Sequence, residues 1–426
     1  MLRARIGGPK RFDPYRVPVF LGTVWGLAFV ILMVDTNLSE PNFFDQSDYV
    51  MTFYVAGHLV TSGQASNLYP TLTQSSFAHS PFDRAAHLLL PKLPEQSTAV
   101  FMYTPLVAWI FAPLSKVSPN MSLLVWQTIS ILGLVFSAVF LSRAGKVKAS
   151  DILFLSALFF PIIATLWAGQ VSLVIGLLPL SGGYLLFTKG RRFVAGLVWS
   201  FLSLKPQLVF VPAFLIFALA FARRFECCAG FVVGVAGLII LNMTLVPMAV
   251  TLSWLHSLQL GETFFSKGDY KIRDYLITSL PANILLALPA GLRAAVKWPL
   301  YAATATLWIT AAWYCRKLID SNAHEFSKMS LILLVAVILL PITSPYLLYY
   351  DLCIFLVAGT ILFGNGWPAS LSAPLKRIGL IGWAGISIYM VVFMTLQAHS
   401  AQPFLLHAIL IGLFVKFIGI IDGAFA

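Results

Sequence analysis

The sequence predicts an all-α, polytopic membrane protein of about 12 transmembrane helices, since a crossing takes about 20 apolar residues. Two observations carry this. Of 426 residues, 59% are apolar and 10% charged, whereas soluble domains carry about 25% charged residues. The apolar stretches also run without the two-residue alternation of lipid-facing barrel strands, so a β-barrel is excluded and the spans are helices. No internal repeat or low-complexity linker divides the chain, which reads as one domain over residues 1–426.

A basic start (Arg3, Arg5, Lys10, Arg11, Arg16) precedes the apolar run Val17 to Val34. The run is longer than a signal-peptide core and lacks a small-residue cleavage site, so it is expected to stay attached as the first span. With the basic end inside, residues 35–100 form a long first outer loop carrying interfacial helices. A true crossing at Phe101 to Leu114 would place Arg143, Lys146 and Lys148 outside, so this stretch reads as re-entrant or interfacial. Spans follow at 122–141, 152–168 and 171–187. Between Arg192 and Arg223 the chain reaches about 45 Å as helix, too long for one crossing between two Arg pairs. Two half-spans fit, broken at Lys205-Pro206-Gln207, because proline removes a backbone N–H and broken helices survive at membrane depth only around a protein cavity. A span at 229–250 leads to a second outer segment, 251–297, whose piece 276–290 is expected along the interface. Spans at 298–315, 328–343, 350–363, 378–396 and 403–421 complete the series with both termini inside.

The net charge of +12 is an orientation signal, since Lys and Arg cluster between apolar runs at roughly two to one in favour of the inner side. Nucleic acid is therefore not an expected partner, and membrane lipids are. Cys227, Cys228, Cys315 and Cys353 lie in or beside apolar segments without ligand spacing, so neither a metal site nor a disulfide framework is indicated. His58, His79, His87 and His256 form no spaced metal set either.

The first outer loop sets carboxylates beside the membrane surface in the stretch Asp45-Gln-Ser-Asp48-Tyr-Val-Met-Thr-Phe-Tyr54-Val-Ala-Gly57-His58, followed by Gly63 and Leu68-Tyr69-Pro70. This segment resembles the first loop of the family 87 glycosyltransferases, multi-spanning enzymes of the GT-C type. Phe101-Met-Tyr103-Thr-Pro105-Leu resembles that family's Tyr-x-Pro-Leu segment, Gly169-Gln170 its Gly-Gln, Lys205-Pro206-Gln207 the Lys-Pro of its broken helix, and Ser344-Pro345-Tyr346 with Tyr350-Asp351 its late Ser-Pro segment. Some members carry Trp or His in that last segment where this chain offers Tyr349, Tyr350 and Asp351, so sugar or acceptor choice is expected to differ.

The resemblance implies transfer of a sugar from a polyprenyl-phosphate donor to an acceptor hydroxyl, on a glycan or glycolipid, with inversion. It implies an inner-membrane enzyme whose site faces the periplasm or exterior. One carboxylate suffices as base because phosphate is a weakly basic leaving group, whereas a glycosidase expelling a sugar alkoxide needs two. The resemblance makes Asp48 that base. Asp45 is the second candidate, and the ordinary use of either carboxylate is to cap a helix, for Asp48 the helix Tyr49 to Val60.

The leaving phosphate needs cations or N–H donors in a dry site, which Lys205 or the second segment's Lys267, Lys271, Arg273 and Arg293 supply. Asp351, Gln170 and Gln207 are expected to contact substrate, although polar residues in membranes also glue helices together. Tyr54, Tyr103 and Tyr346 are candidate sugar-facing rings, competing with simple packing. A divalent ion is possible but not indicated. The competing functions are a transporter or flippase of lipid-linked sugars, which calls for a polar path and often a related second half, and a non-catalytic scaffold.

Overall fold

The computed structural model describes residues 16–39, 48–266, 276–320, 325–364, 369–396 and 403–425. Every regular element among them is helical, with an isolated antiparallel bridge between Ile277 and Leu348. Among the described residues, three helices are long and apolar enough to cross a membrane: Pro119–Gly145, Phe225–Leu245 and Ser372–Val392. Ala149–Ala157 and Phe160–Trp167 make a fourth crossing only if taken together, being bent by 73°. Further apolar stretches of 10–17 residues lie in other helices, among them Arg16–Ser39, Glu325–Thr343 and Pro403–Phe425, so that of the twelve expected crossings the described helices meet the length and hydropathy requirement in three or four.

Chain breakers explain much of the difference. Pro161 sits at the start of Phe160–Trp167, where its missing N–H and its ring oppose continuation of the preceding helix. The expected span 171–187 is a π-helical turn, Ser172–Leu177, leading into an α-helix, Leu178–Thr188. The expected half-spans are the helix Arg192–Trp199 with a 3-10 extension Ser200–Leu204, and the helix Phe210–Phe221, with the break beginning at Lys205. Farther on, the boundaries move. Phe225–Leu245 stops before Pro247, and much of the second outer segment is helical, as Met248–Ser266 and Leu280–Ala287. The next helix begins at Ala290 and runs to Asp320.

The described part of the first loop is a folded cap with its own apolar core. Tyr49, Phe53, Phe82, Phe101, Phe111 and Trp126 are all buried together there. A Cβ on Gly57 would lie 2.5 Å from the Phe111 carbonyl oxygen, so the helix Val55–Thr61 rests almost backbone to backbone on Pro105–Phe111. Asp83, in the helix Pro81–Leu89, ties the loop's far side by accepting the backbone N–H of His79 and that of Ala99, each at 2.8 Å. A second, larger core joins the remaining helices. The first helix, Arg16–Ser39, is anchored to it near its end, where Asn37 donates to Gln127, whose own amide donates to the Leu166 carbonyl at 3.1 Å.

The cap meets the bundle at Gly169. This residue has φ +65°, and a Cβ there would approach Tyr49 Cβ to 2.6 Å and Leu123 Cδ1 to 2.7 Å. The close approach lets Tyr49 N–H donate to the Ala168 carbonyl at 3.1 Å. Gly169→Ala is therefore expected to cost about 1–2 kcal/mol for the left-handed conformation and a further 1–3 kcal/mol or so for overpacking. Thermal unfolding in detergent checks this, the expected outcome being a clearly lowered midpoint.

Candidate active site

Four irregular stretches build one polar cluster. The first begins at Asp48, where the backbone enters a π-helical turn, Tyr49–Tyr54, before the α-helix Val55–Thr61. The second is the turn Gly169 to Ser172, the third the break at Lys205, and the fourth the segment Ser344 to Asp351 leading into the 3-10 helix Tyr349–Ile354. Single π turns within helices recur at functional sites because they re-aim side chains without ending the helix. Two of them, Tyr49–Tyr54 and Ser172–Leu177, flank this cluster.

Asp48 is half-buried and makes no side-chain capping bond to the helix it precedes. Its Oδ2 instead accepts a hydrogen bond from Gln170 Nε2 at 2.9 Å. Gln170 is buried, and its Oε1 accepts from the Tyr103 hydroxyl at 3.0 Å. Burial raises the Asp48 carboxyl above the ordinary carboxylate value, while the Gln170 hydrogen bond and the nearby Lys205 ammonium pull it back down. Tyr103 is pushed well above the usual phenol value by burial and by the charges of Asp351 and Asp48, which keeps its proton in place as a donor to Gln170.

Lys205 is completely buried. Its ammonium donates to Asp351 Oδ1 at 2.5 Å and to Ser172 Oγ at 2.6 Å. Ser172 donates in turn to Asp351 Oδ1 at 2.7 Å, closing a three-membered network around two opposite charges. Rings line the remaining side of the ammonium, with Tyr350 at 4.8 Å and Tyr103 at 5.6 Å to the ring centroids. Such contacts favour the cation electrostatically. The charge therefore sits between Asp351, which it pairs with directly, and Asp48, which it influences through space.

On the far side of Pro206 lies a cavity of about 680 Å³. Phe210, Leu258, Leu285 and Leu286 give it apolar walls, while Gln207, Ser344 and Tyr346 bring polar groups to it. Gln207 Oε1 is buried there without a hydrogen-bond partner, and an unsatisfied buried acceptor is costly enough to mark a place for a ligand or water. Arg293 and Lys297, one turn apart on the helix Ala290–Asp320, line the same cavity beside Trp298 and Tyr301. Arg293 is steadied by donating from Nε to the Leu288 carbonyl at 3.0 Å. The Lys297 ammonium stands 5.9 Å from both the Trp298 and the Tyr301 ring centroids. Tyr346 connects cavity and cluster, being within electrostatic reach of Asp351, Tyr103 and Asp48.

The structure thus gathers six of the residues picked from sequence, Asp48, Tyr103, Gln170, Lys205, Tyr346 and Asp351, and sets Gln207 beside them. Tyr54 stands apart in role, since its ring is in the core of the cap and its hydroxyl donates to the Val117 carbonyl at 3.1 Å. Asp45 and Arg273 lie outside the described residues. Sequence reasoning missed Ser172, the hinge of the ion pair. Its one signal is position, two residues beyond Gln170 on the same turn.

The family model for glycosyltransferase family 87 matches residues 101–345 of the chain. No curated protein and no solved structure matches it.

The buried pair makes a testable statement about stability. Removing one partner strands a charge without solvent, so Asp351→Ala is expected to destabilise the protein by about 3–5 kcal/mol. The double replacement Lys205→Met with Asp351→Ala removes both charges and is expected to recover most of that loss. Unfolding midpoints of the single and double variants, compared as a double-mutant cycle, check the coupling.

Proposed function

The chain belongs to glycosyltransferase family 87, and from that premise we propose that it transfers a sugar from a polyprenyl-phosphate donor to an acceptor hydroxyl at the outer face of the membrane, with inversion. The acceptor in this reading is a glycan or glycolipid, and the enzyme is a multi-pass protein of the inner membrane with both termini cytoplasmic. One observation supports it above others: a carboxylate that does not cap its own helix is within electrostatic reach of Tyr346, which lines an apolar cavity carrying cations.

The cavity suits such a donor. Its apolar walls accept a prenyl chain, while Arg293 and Lys297 meet the phosphate, with Gln207 and Tyr346 at the polar end. Lys205 donates two N–H bonds to Ser172 and Asp351 and, being fully buried, acts on the reaction through the field of its charge at Asp48. Asp48 Oδ2 is held by Gln170, so Oδ1 is the oxygen assigned to the acceptor.

In the reaction the acceptor oxygen attacks the anomeric carbon as its proton passes to Asp48. The new C–O bond forms on the face opposite the leaving group, which inverts the configuration. The anomeric carbon–oxygen bond to phosphate breaks, and the electron pair leaves with polyprenyl phosphate. No acid is needed for that departure, because phosphate is a weak base. Asp351 is not a second catalytic carboxylate of the glycosidase type, since its charge is committed to Lys205. This scheme assigns no role to a divalent ion.

Release of free polyprenyl phosphate from polyprenyl-phosphate sugars, with a membrane extract as acceptor source, tests the reading. Asp48→Asn is expected to lose turnover by several orders of magnitude while still binding donor. A transporter or scaffold would be indifferent to that change, and equal release by variant and wild type would move Asp45 forward as base. Arg293→Gln and Lys297→Gln are expected to raise KM for the donor by about tenfold each, the usual effect of losing one charge-assisted hydrogen bond.

A further inference from the structure

We infer that Gln170 is a positioning residue for Asp48: anchored at its amide oxygen by the Tyr103 hydroxyl, it holds the carboxylate by a single oxygen and stabilises its ionised form. The inference rests on the reading of Asp48 as base and changes what Gln170 is for, since its place between two spans reads from sequence as a sugar contact or as helix glue.

The geometry leaves Gln170 little freedom. Both ends of its amide are engaged, Oε1 by Tyr103 and Nε2 by Asp48. An amide can be flipped without changing its shape, which would turn its oxygen towards Asp48 and set acceptor against acceptor. The acceptor-only carboxylate opposes this, and Tyr103 reinforces the orientation by donating to Oε1 from a ring packed 4.8 Å from Phe53. The backbone is fixed as well. Gln170 N–H donates to the Thr165 carbonyl at 2.9 Å, immediately after the left-handed Gly169. The three residues therefore form a directed chain in which the phenol orients the amide and the amide orients the carboxylate.

The consequence is for the protonation of Asp48, which burial opposes in its charged form. The groups facing it from neighbouring elements are few. Lys205 lies on the broken helix and Asp351 on the late Ser-Pro segment, with the phenols of Tyr103, Tyr346 and Tyr350 around them. Asp351 already neutralises Lys205, so the Gln170 hydrogen bond is the closest stabilisation the carboxylate has. Without it the proton is held more tightly, and a smaller fraction of the enzyme has its base available at a given pH.

The test reads Asp48 directly. Its carboxyl C=O band is titrated by infrared difference spectroscopy on the purified full chain, and assigned as the band missing from Asp48→Asn. In Gln170→Leu the midpoint is expected to rise by about one pH unit, the size of one hydrogen bond to a charged group. In Tyr103→Phe it is expected to rise by less, because the amide then loses its second anchor but is still present. The acidic limb of kcat/KM for polyprenyl-phosphate release should move by the same amounts, with KM for donor little changed. An unchanged midpoint in folded Gln170→Leu overturns the inference. Should that variant not fold, an unchanged midpoint in Tyr103→Phe does so. Wild-type turnover by Asp48→Asn would instead overturn the reading of Asp48 as base, so the two failures are distinguishable.

Discussion

A lysine ammonium with no accessible surface is the constraint around which this protein is arranged. Taking such a charge out of water costs several kcal/mol unless an opposite charge and hydrogen bonds replace the lost hydration. Lys205 obtains these from Asp351 and Ser172, residues far from it in sequence. To bring them together, the chain has to interrupt the helical run after Leu204 and fold the segment after Ser344 back into the bundle. It also places Ser172 at the first position of a π turn. The irregularities that shorten the apolar helices are thus the same ones that assemble the polar cluster.

That link explains what was legible in the sequence. Residues out of keeping with their surroundings stood out: a lysine followed by proline in an apolar run, a Gly-Gln pair between hydrophobic stretches, an aspartate at the start of a helical pattern. Lys205, Gln170, Asp351 and Asp48 do converge, because charges and amides at depth must find one another. Breaks within the apolar runs were not legible, since hydropathy reports composition and says nothing of continuity. Residues 152–168 are uniformly apolar, yet Pro161 follows a 73° bend. Ser172 was equally hidden, because a serine in a hydrophobic helix is indistinguishable by type from one bonded to its own backbone. Tyr54 is placed differently. It sits in a motif-bearing stretch, but its hydroxyl is used to fasten the cap to Val117.

The bland alternative for Asp48, a helix cap, depends on whether its carboxylate turns back onto the first-turn N–H groups. It does not, and the backbone at Asp48 is already helical, with φ −53° and ψ −35°. A capping residue has extended geometry, so the position is unsuited to that use. The carboxylate is directed across to Gln170, a contact that contributes nothing to the local helix. A side chain released from local bonding and held by a distant buried amide is an arrangement that fixes direction, which a base requires of its accepting oxygen.

Charge balance then separates the work done on either side of Pro206. The Lys205–Asp351 pair is neutral as a unit, so it contributes little net field to an anion arriving nearby. A donor phosphate beside Asp48 would be repelled by that carboxylate, and the offsetting positive charge has to come from elsewhere. In the proposed reaction Arg293 and Lys297 would supply it from the cavity wall, which both line without being deeply buried. The division has a chemical advantage. Were Lys205 unpaired, phosphate and Asp48 would compete for one ammonium, and binding the donor would withdraw the stabilisation of the base. In the proposed reaction, with Lys205 held by Asp351, the field at Asp48 would change little as the donor enters, and the two anions would be served by separate cations.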